Sequence, residues 1–177
     1  MKITITGLAG VGTSTTGKLL AQKLGCEFMS GGNIFRSYAD ELDISLNELE
    51  TKALTDHSFD KELDARQKKY GEENDTFVFE SRLGYYFIPD SVKVKFVCDF
   101  DERIRRISQR EDRSIEEVKK LTLEREEAIR IRYKDLYDID NFTDDKHFDL
   151  VIDTTTTPPE KLVQALIYYI DKQRVSK

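Results

Sequence analysis

Glycines and hydroxyl residues are concentrated in one segment that directly follows a β-rich run near the start of the chain. The segment is Gly7-Leu8-Ala9-Gly10-Val11-Gly12-Thr13-Ser14-Thr15, and a helical pattern begins at its end. Its glycines let the backbone turn tightly and direct several N–H groups to one point, where the dipole of the following helix also favours negative charge. The segment therefore predicts a polyphosphate site, with the Ser14 and Thr15 hydroxyls placed to reach a magnesium ion carried by a nucleotide.

A threonine, Thr13, stands where phosphate-binding loops of this kind usually carry a lysine. The backbone cradle is kept, but its point charge is missing. One charge-assisted hydrogen bond contributes roughly 1.5–3 kcal/mol, so an unreplaced lysine would cost about ten- to a hundredfold in binding or rate. If the chain is an enzyme, Lys18 or arginines elsewhere in the sequence must compensate.

An acid and an arginine follow another β-rich run. Glu80 ends the run that begins at Thr76, and an acid at this place in phosphate-loop enzymes orders magnesium and its waters. Arg82 comes two residues later and is placed to reach either of two bound phosphates. A local ion pair between Glu80 and Arg82 is the alternative, but a charged pair at a ligand-binding edge more often has a function.

Arg36 follows a turn that contains Ser30, Gly31 and Gly32, directly after the second β-rich run. We therefore expect Arg36 at the same edge of the sheet, where it would hold the phosphate of an acceptor molecule. A surface ion pair with Asp40, four residues further along the helix, explains this arginine equally well. Both interpretations stay open.

Three arginines share one face of a predicted helix in the second half of the chain: Arg103, Arg106 and Arg110. Arg106 and Arg110 are a like-charge pair four residues apart, which costs about 0.2–0.5 kcal/mol on an isolated helix. Such repulsion favours binding of an anion between them.

Two further arginines, Arg125 and Arg132, lie two turns apart on one face of the next predicted helix. Neither has an acid four residues before or after it, so both are candidates to clamp a transferring phosphoryl group. Arg130 differs because Glu126 precedes it by four residues, which predicts an ordinary surface ion pair.

Hydrogen-bonding side chains also share a face of a helix in the first half of the chain. Asp60, Asp64 and Gln67 lie on this face and are candidates to contact a nucleotide base. The same helix carries Glu62 and Arg66 at a spacing that predicts a solvent-facing ion pair.

Five β-rich runs alternate with helical periodicity, which predicts an α/β fold with a five-stranded parallel sheet in one domain, residues 1–177. Such sheets bind ligands beyond the carboxyl ends of their strands. We interpret residues 32–71 as a mobile helical insert over this edge and residues 111–124 as a short lid. The predicted strands are Lys2–Thr6, Cys26–Met29, Thr76–Glu80, Val92–Cys98 and Asp149–Asp153, and the predicted helices are Thr13–Leu24, Ile34–Leu42, Leu46–Thr55, Asp60–Tyr70, Asp101–Arg110, Ile115–Tyr137 and Glu160–Lys172.

The composition limits the classes of partner. A chain of 177 residues with 38% hydrophobic residues can bury one core, and its net charge of -6 argues against binding nucleic acid or an anionic membrane. No apolar run approaches the roughly 20 residues that cross a bilayer. Cys26 and Cys98 lie far apart and no basic-then-apolar leader precedes the first strand, so we expect a cytoplasmic protein, and a monomer.

Taken together, the motifs resemble the short, archaeal-type cytidylate kinases of the P-loop nucleoside monophosphate kinase group, over nearly the whole chain. That family also carries threonine at the place of Thr13, so the missing lysine fits the resemblance. The matching segments are the loop at residues 7–15, Ser30-Gly31-Gly32-Asn33-Ile34-Phe35-Arg36, Asp60-Lys61-Glu62-Leu63-Asp64-Ala65-Arg66-Gln67, Glu80-Ser81-Arg82, Arg125-Glu126-Glu127 and Arg132-Tyr133-Lys134-Asp135-Leu136-Tyr137-Asp138-Ile139-Asp140.

The resemblance implies a P-loop kinase fold in which ATP with Mg²⁺ phosphorylates CMP or dCMP to CDP or dCDP. Two alternatives stay open: a kinase of another nucleotide or small metabolite, and a nucleotide-binding switch that lost catalysis with its lysine. The implied roles are ATP binding by residues 7–15 with Arg106 and Arg110, magnesium binding by Ser14, Thr15 and Glu80, acceptor binding by Ser30, Gly32, Arg36, Asp64 and Arg82, and catalysis by Arg82, Arg125 and Arg132.

Overall fold

Five parallel strands form one sheet in a computed structural model, which describes the backbone of residues 1–175 and their side chains except at 47, 50, 53–55, 174 and 175. The strands are β1 (Lys2–Gly7), β2 (Glu27–Ser30), β3 (Phe77–Glu80), β4 (Val92–Val97) and β5 (Leu150–Asp153). They lie in the order β2-β3-β1-β4-β5. The predicted five-stranded parallel sheet is confirmed, and each predicted strand boundary is within one residue of the observed one.

Helices connect the strands and cover the sheet. In the described part of the chain they are α1 (Thr13–Leu24), α2 (Gly31–Glu41), α3 (Leu46–Thr55), α4 (Ser58–Glu73), α5 (Gly84–Phe87), α6 (Phe100–Glu111), α7 (Ile115–Tyr137) and α8 (Pro159–Val175). Helix α2 begins three residues before its predicted start at Ile34, because the Ser30 hydroxyl caps it by accepting a hydrogen bond from the Asn33 N–H at 3.1 Å. The single turn α5 was not predicted, since four residues are too few to show a period.

Apolar side chains pack on both faces of the sheet. On one face Ile5 and Phe96 pack with Leu20 of α1 and Leu166 of α8. On the other face Phe77, Phe79 and Ile88 pack with residues of α2 and α4. Because both faces are covered, even polar strand residues such as Thr4, Thr6 and Lys95 are buried. None of the described helices has both the length and the apolarity needed to cross a membrane.

The carboxyl-terminal half of α4 is fixed to the sheet. The Tyr70 ring stacks on Phe79 with centroids 5.6 Å apart and meets the edge of Phe77 at 5.0 Å. Gly71 packs so closely that a Cβ atom there would lie 2.8 Å from Cγ1 of Ile88. This end of the helix therefore has no room to move independently of the strands.

The parallel register brings three strand ends to one edge of the sheet. Ser30 of β2 pairs with Glu80 of β3, and Glu80 pairs in turn with Ile5 of β1, two residues before the glycine-rich loop. Helices α2, α3 and α4 lie between β2 and β3 and include most residues of the predicted insert. Helices α6 and α7 are joined by residues 112–114 and form the α6–α7 hairpin, whose tip contains most of the predicted lid.

A core substitution on α8 tests this packing. Leu166 is 0% exposed, whereas Tyr168 on the same helix is 63% exposed. Leu166→Ala should lower the free energy of unfolding by about 2–5 kcal/mol, because it leaves a cavity between α8, α1 and the sheet. Tyr168→Ala is the matched control and should change it by less than about 0.5 kcal/mol. Urea denaturation measures both; equal effects would show that α8 does not cover the core.

Candidate active site

The loop between β1 and α1 has the conformation of an anion cradle. Gly10 and Gly12 have φ angles of 86° and 90°, a left-handed region that other residues rarely adopt. Gly12 is the N-cap of α1 and brings no side chain to the first-turn N–H groups. These donors and the helix dipole therefore face an open site that favours phosphate oxygens.

Helix α6 supports this loop from behind. A Cβ atom on Gly10 would lie 2.8 Å from the carbonyl oxygen of Arg103, so the helix contacts the loop through backbone atoms. The Arg106 guanidinium donates hydrogen bonds to the carbonyl oxygens of Gly10 at 3.3 Å, Thr154 at 2.7 Å and Thr155 at 3.0 Å. Arg106 thus joins α6 to the loop and to the segment after β5, at the edge where the resemblance places ATP.

Glu80 is hydrogen-bonded to the beginning of α1. Its two carboxylate oxygens accept hydrogen bonds from the hydroxyls of Thr13 and Ser14, each at 2.7 Å. Thr15 is exposed in the same helical turn. Magnesium prefers a few hard oxygen ligands and keeps several waters, so the Ser14 hydroxyl and the Glu80 carboxylate fit a magnesium site that nucleotide phosphates would complete. Among the contacts of the described residues, Glu80 does not form the alternative ion pair with Arg82.

A cleft between the loop and the α6–α7 hairpin is lined by three arginines and by two acids, Glu111 and Glu126, and so has a net positive charge. Arg82, Arg110 and Arg125 line it together with Leu8 and Ala9 of the loop. These arginines come from three separate elements, the segment after β3, the end of α6 and the middle of α7. Their convergence beside the glycine-rich loop suits binding of a polyphosphate.

Lys18 lies elsewhere. Its ammonium group is 5.9 Å from the centre of the Phe28 ring, one turn beyond the start of α1. The arginines of the cleft are therefore better placed than Lys18 to supply the positive charge that Thr13 does not provide.

Acidic partners neutralise the arginines of α6. Glu102 accepts hydrogen bonds from Arg106, and Glu111 accepts one from Arg110, so the predicted repulsion between these two arginines is relieved within the helix. Arg103 is only 3% exposed and donates to Glu126 of α7 at 2.8 Å. This buried ion pair holds the two helices of the hairpin together.

The partner expected for Arg130 was wrong. Glu126 pairs with Arg103, and Arg130 instead donates hydrogen bonds to Glu127, three residues before it, at 2.8 and 2.9 Å. Both Arg130 and Glu127 are more than half exposed, so the expected surface ion pair exists with a different acid.

Helix α4 of the insert contacts the second half of α7 through polar side chains. Arg132 forms an ion pair with Asp60, which is 8% exposed. The Tyr137 hydroxyl donates a hydrogen bond to Asp64. One helical turn further, Gln67 accepts a hydrogen bond from the Ser81 hydroxyl at 2.6 Å. The three residues predicted to share a face therefore do so, and their partners are protein side chains.

Asp64 has an altered protonation equilibrium. Burial raises the pKa of its carboxyl group from 3.8 to about 6, and the neighbouring charge of Asp60 acts in the same direction. The hydrogen bond from Tyr137 and the positive charge of Arg132 oppose this rise without cancelling it. Burial, together with the hydrogen bond to Asp64, also raises the pKa of Tyr137. The site thus contains a carboxyl group whose pKa lies well above its ordinary value.

Arg36 remains near the glycines that precede it. It donates a hydrogen bond to Asn33 at 2.6 Å, and its Nη1 atom would lie 3.6 Å from a Cβ on Gly32. An ion pair with Asp40 does not occur among the described contacts, so the surface-pair interpretation loses its support. Ser30 is used as the cap of α2, at the edge where an acceptor would bind.

Sequence reasoning missed the long-range partners in this site. Arg132 has no acid four residues before or after it, and that absence is the signal for a partner elsewhere in the chain. The partner is Asp60, 72 positions earlier in the chain. Helical spacing cannot identify such a pair, because it arises only when α4 and α7 pack together. The same limit applies to Arg106, whose carbonyl partners lie 48 and 49 positions later.

The strand order, the glycine-rich loop after β1 and the acid at the end of β3 define the class: this is a P-loop kinase fold, the architecture of a phosphotransferase. Shikimate kinases from Bacteroides thetaiotaomicron and Aquifex aeolicus align with TM-scores of 0.68 and 0.61 at 15% and 18% identity, over 97% and 100% of this chain and 98% and 100% of theirs. Similarity at this level of identity concerns the fold alone.

Sequence comparison identifies the family. A model of the cytidylate kinase-like family matches residues 2–156. Cytidylate kinases from Methanobrevibacter smithii and Methanosphaera stadtmanae are 38% and 36% identical to this chain, over 94% and 98% of it and 96% and 100% of their own lengths. The chain belongs to the cytidylate kinase-like family, and the resemblance of its motifs is confirmed.

The loop geometry leads to a test of nucleotide binding. Gly10→Ala should raise the Kd for MgATP at least about tenfold, or about 1.4 kcal/mol, because the new methyl group would push the loop off α6. Gly25→Ala is the matched control: Gly25 has a φ of 64° but no atom within 4 Å of a Cβ, and it follows α1 at the far end from the loop. Calorimetric titration measures both; equal losses of affinity would contradict the role of the α6 contact.

The pKa of Asp64 leads to a test of stability against pH. Since the folded protein binds this proton more tightly than the unfolded chain, the contribution of Asp64 to the stability of the wild type falls as pH rises from about 3.8 to about 6. Asp64→Asn removes this loss, so the unfolding free energy of the variant minus that of the wild type should rise across this window and stay constant above it. Urea titrations at a series of pH values measure the difference. A difference independent of pH would contradict the raised pKa.

Proposed function

We propose that this chain transfers the γ-phosphoryl group of ATP to CMP or dCMP, giving ADP and CDP or dCDP. The observation that carries the proposal is the convergence of Arg82, Arg110 and Arg125 on a cleft beside the phosphate loop. A nucleotide bound by the loop would present its terminal phosphate to these cations. Membership of the cytidylate kinase-like family and the names of the relatives support a cytidine nucleotide as the acceptor.

The proposed reaction is a direct in-line transfer. An oxygen of the acceptor phosphate attacks the γ-phosphorus of ATP, the bond from that phosphorus to the bridging oxygen breaks, and ADP leaves with the electron pair. The acceptor phosphate is already an anionic nucleophile, so no strong base and no covalent intermediate are needed. The rate then depends on positioning and on neutralising the charge of the transferring group.

The residues of the site divide this work. The backbone of residues 7–15 holds the ATP phosphates, with Arg110 on one side and Arg106 supporting the loop from behind. Arg36 and Arg82 hold the acceptor phosphate, and Arg125 and Arg132 approach from α7. When bound at Ser14 and Glu80, magnesium would neutralise part of the charge on the β- and γ-phosphates.

Exclusion of water is the remaining requirement. Water competes with the acceptor, and its attack on ATP would make the protein an ATPase. The insert formed by α2, α3 and α4 lies on one side of the site and the α6–α7 hairpin on the other. We infer that both close over the bound nucleotides and complete the arginine clamp only when an acceptor is present.

The test is magnesium-dependent formation of ADP from ATP with CMP, dCMP, UMP, AMP and GMP in parallel. CMP and dCMP should each give a kcat/KM at least about tenfold above the other acceptors, because a polar base edge allows strong discrimination. Preference for another base would keep the kinase and change its acceptor. No acceptor-dependent turnover would favour a nucleotide-binding switch and overturn the proposal.

Glu80→Gln is the control that assigns the activity to this site. The amide keeps the shape of the side chain and can still accept a hydrogen bond from Ser14, but its negative charge is lost. Turnover should fall at least about tenfold, the loss expected for one charge-assisted interaction. Unchanged turnover in this variant would place the measured activity, or the magnesium ion, elsewhere.

A further inference from the structure

Asp60 and Arg132 form an ion pair across the boundary between the insert and the rest of the protein. The Nε atom of Arg132 donates a hydrogen bond to Oδ2 of Asp60 at 3.1 Å, and Nη2 donates to Oδ1. The two parallel bonds engage one edge of the guanidinium and fix its plane. Asp60 is 8% exposed, so water competes little for this contact.

The surroundings of Asp60 are also charged or polar. Nδ1 of His57 lies 3.7 Å from Oδ2 of Asp60, and Nε2 of the same ring lies 3.9 Å from Asp135 of α7. Asp64, one turn further along α4, accepts its hydrogen bond from Tyr137. Arg132 is therefore the strong hydrogen-bond donor to Asp60, and the histidine is a more distant neighbour.

The paired arginine lies next to the phosphate cleft. Tyr133, the following residue on α7, is partly buried, and the charges of Arg82 of the cleft and of Arg132 both oppose the rise that burial causes in the pKa of its hydroxyl. Among the hydrogen bonds of the described residues, Nε and Nη2 of Arg132 donate to the Asp60 carboxylate. The Nη1 group of Arg132 has no protein acceptor among them. The guanidinium thus has one edge held by the insert and one end available to a phosphoryl oxygen.

We propose that Asp60 is a positioning residue that holds Arg132 in the orientation required for phosphoryl transfer. This inference rests on the proposed function, because it assigns a role within the same site. An unpaired arginine side chain samples many rotamers, and ordering it during the reaction would lower the rate. Because Asp60 lies on the insert, it fixes the orientation of Arg132 when α4 packs against α7.

The first measurement is a double-mutant cycle of kcat. Asp60→Asn should lower kcat by about ten- to a hundredfold while the KM values for ATP and CMP change by less than about threefold, since the group being misplaced acts in the transition state. In the Arg132→Ala background the same substitution should have no further effect on kcat. Equal losses in both backgrounds would overturn the proposal, because Asp60 would then act independently of Arg132.

Glu62→Gln is the matched control. Glu62 lies on the same helix and loses the same charge, but it pairs with Arg66, itself paired with Glu41 on the other side of the insert. This variant should keep the wild-type kcat within about twofold, as expected for a partly exposed pair far from the proposed site. A loss as large as that of Asp60→Asn would mean that any change of charge on α4 impairs transfer, and would overturn the specific role.

Arg132→Lys gives a second test that leaves Asp60 intact. Lysine keeps the charge but cannot present two parallel N–H groups, so kcat should fall nearly as far as in Arg132→Ala. A near-wild-type kcat would overturn the proposal. Free guanidinium ion is the complementary probe: it should restore part of the turnover of Arg132→Ala, but not of the Asp60→Asn/Arg132→Ala variant, which lacks the carboxylate that docks it.

The outcomes separate this inference from the proposed function. A wild-type protein that phosphorylates no monophosphate would overturn both. A wild-type cytidylate kinase with additive losses in the cycle would overturn the positioning role alone. If Asp60→Asn raised ADP formation without acceptor and kept the transfer rate, Asp60 would restrain Arg132 until the acceptor binds, and the positioning role would be wrong.

Discussion

The close approach of α6 to the phosphate loop at Gly10 supports the rest of the site. The helix reaches the loop through backbone atoms because position 10 has no side chain. From that contact, Arg106 extends to the loop and to the segment after β5, while Arg103 extends to Glu126 of α7. Helix α7 is therefore attached to the loop that holds phosphate in two steps. The buried ion pair joins α7 to α6, and the backbone contact joins α6 to the loop. A substitution at position 10 would therefore disturb both the phosphate loop and helix α7.

Electrostatics explains why this protein can be acidic overall and still bind polyphosphates. The chain has a net charge of -6, yet three arginines meet in one cleft. A charge removed from water needs a partner, and the most buried members of this site have one: Arg103 pairs with Glu126 and Asp60 with Arg132. These ion pairs reduce the net positive charge of the site. They also fix the orientation of its arginines before the nucleotide binds. The substitution of threonine for the usual loop lysine removes a mobile charge from this arrangement and adds a hydroxyl that binds Glu80.

Local patterns predicted the fold well and the contacts of the site poorly. Apolar runs separated by helical periodicity were enough for the sheet, since burial of strands on both faces leaves a direct trace in the sequence. The glycine-rich loop and Glu80 were also predictable, because each directly follows or ends an apolar run, and the structure brings them together because β1 and β3 are neighbours in the sheet. The pairing of Arg132 with Asp60 was not, since it depends on how the insert packs against α7. Helix α2 illustrates a smaller failure: Ser30 and two glycines resemble a turn, but the serine caps a helix that begins at once.

The two ends of helix α4 have different contacts: its carboxyl-terminal end packs tightly against the sheet, whereas Asp60 near its start contacts α7. Gly71 and Tyr70 pack against Ile88 and the phenylalanines of β3, whereas Asp60 lies eleven residues away on the same helix, about 16 Å along its axis. A tilt of about 10° around the fixed end would displace Asp60 by about 3 Å, which exceeds the tolerance of a hydrogen bond. A very small rotation, without unfolding of any segment, is thus sufficient to make or break the contact between the insert and the catalytic helix. This arrangement depends on Gly71, because only a residue without a side chain lets the end of α4 approach Ile88 so closely.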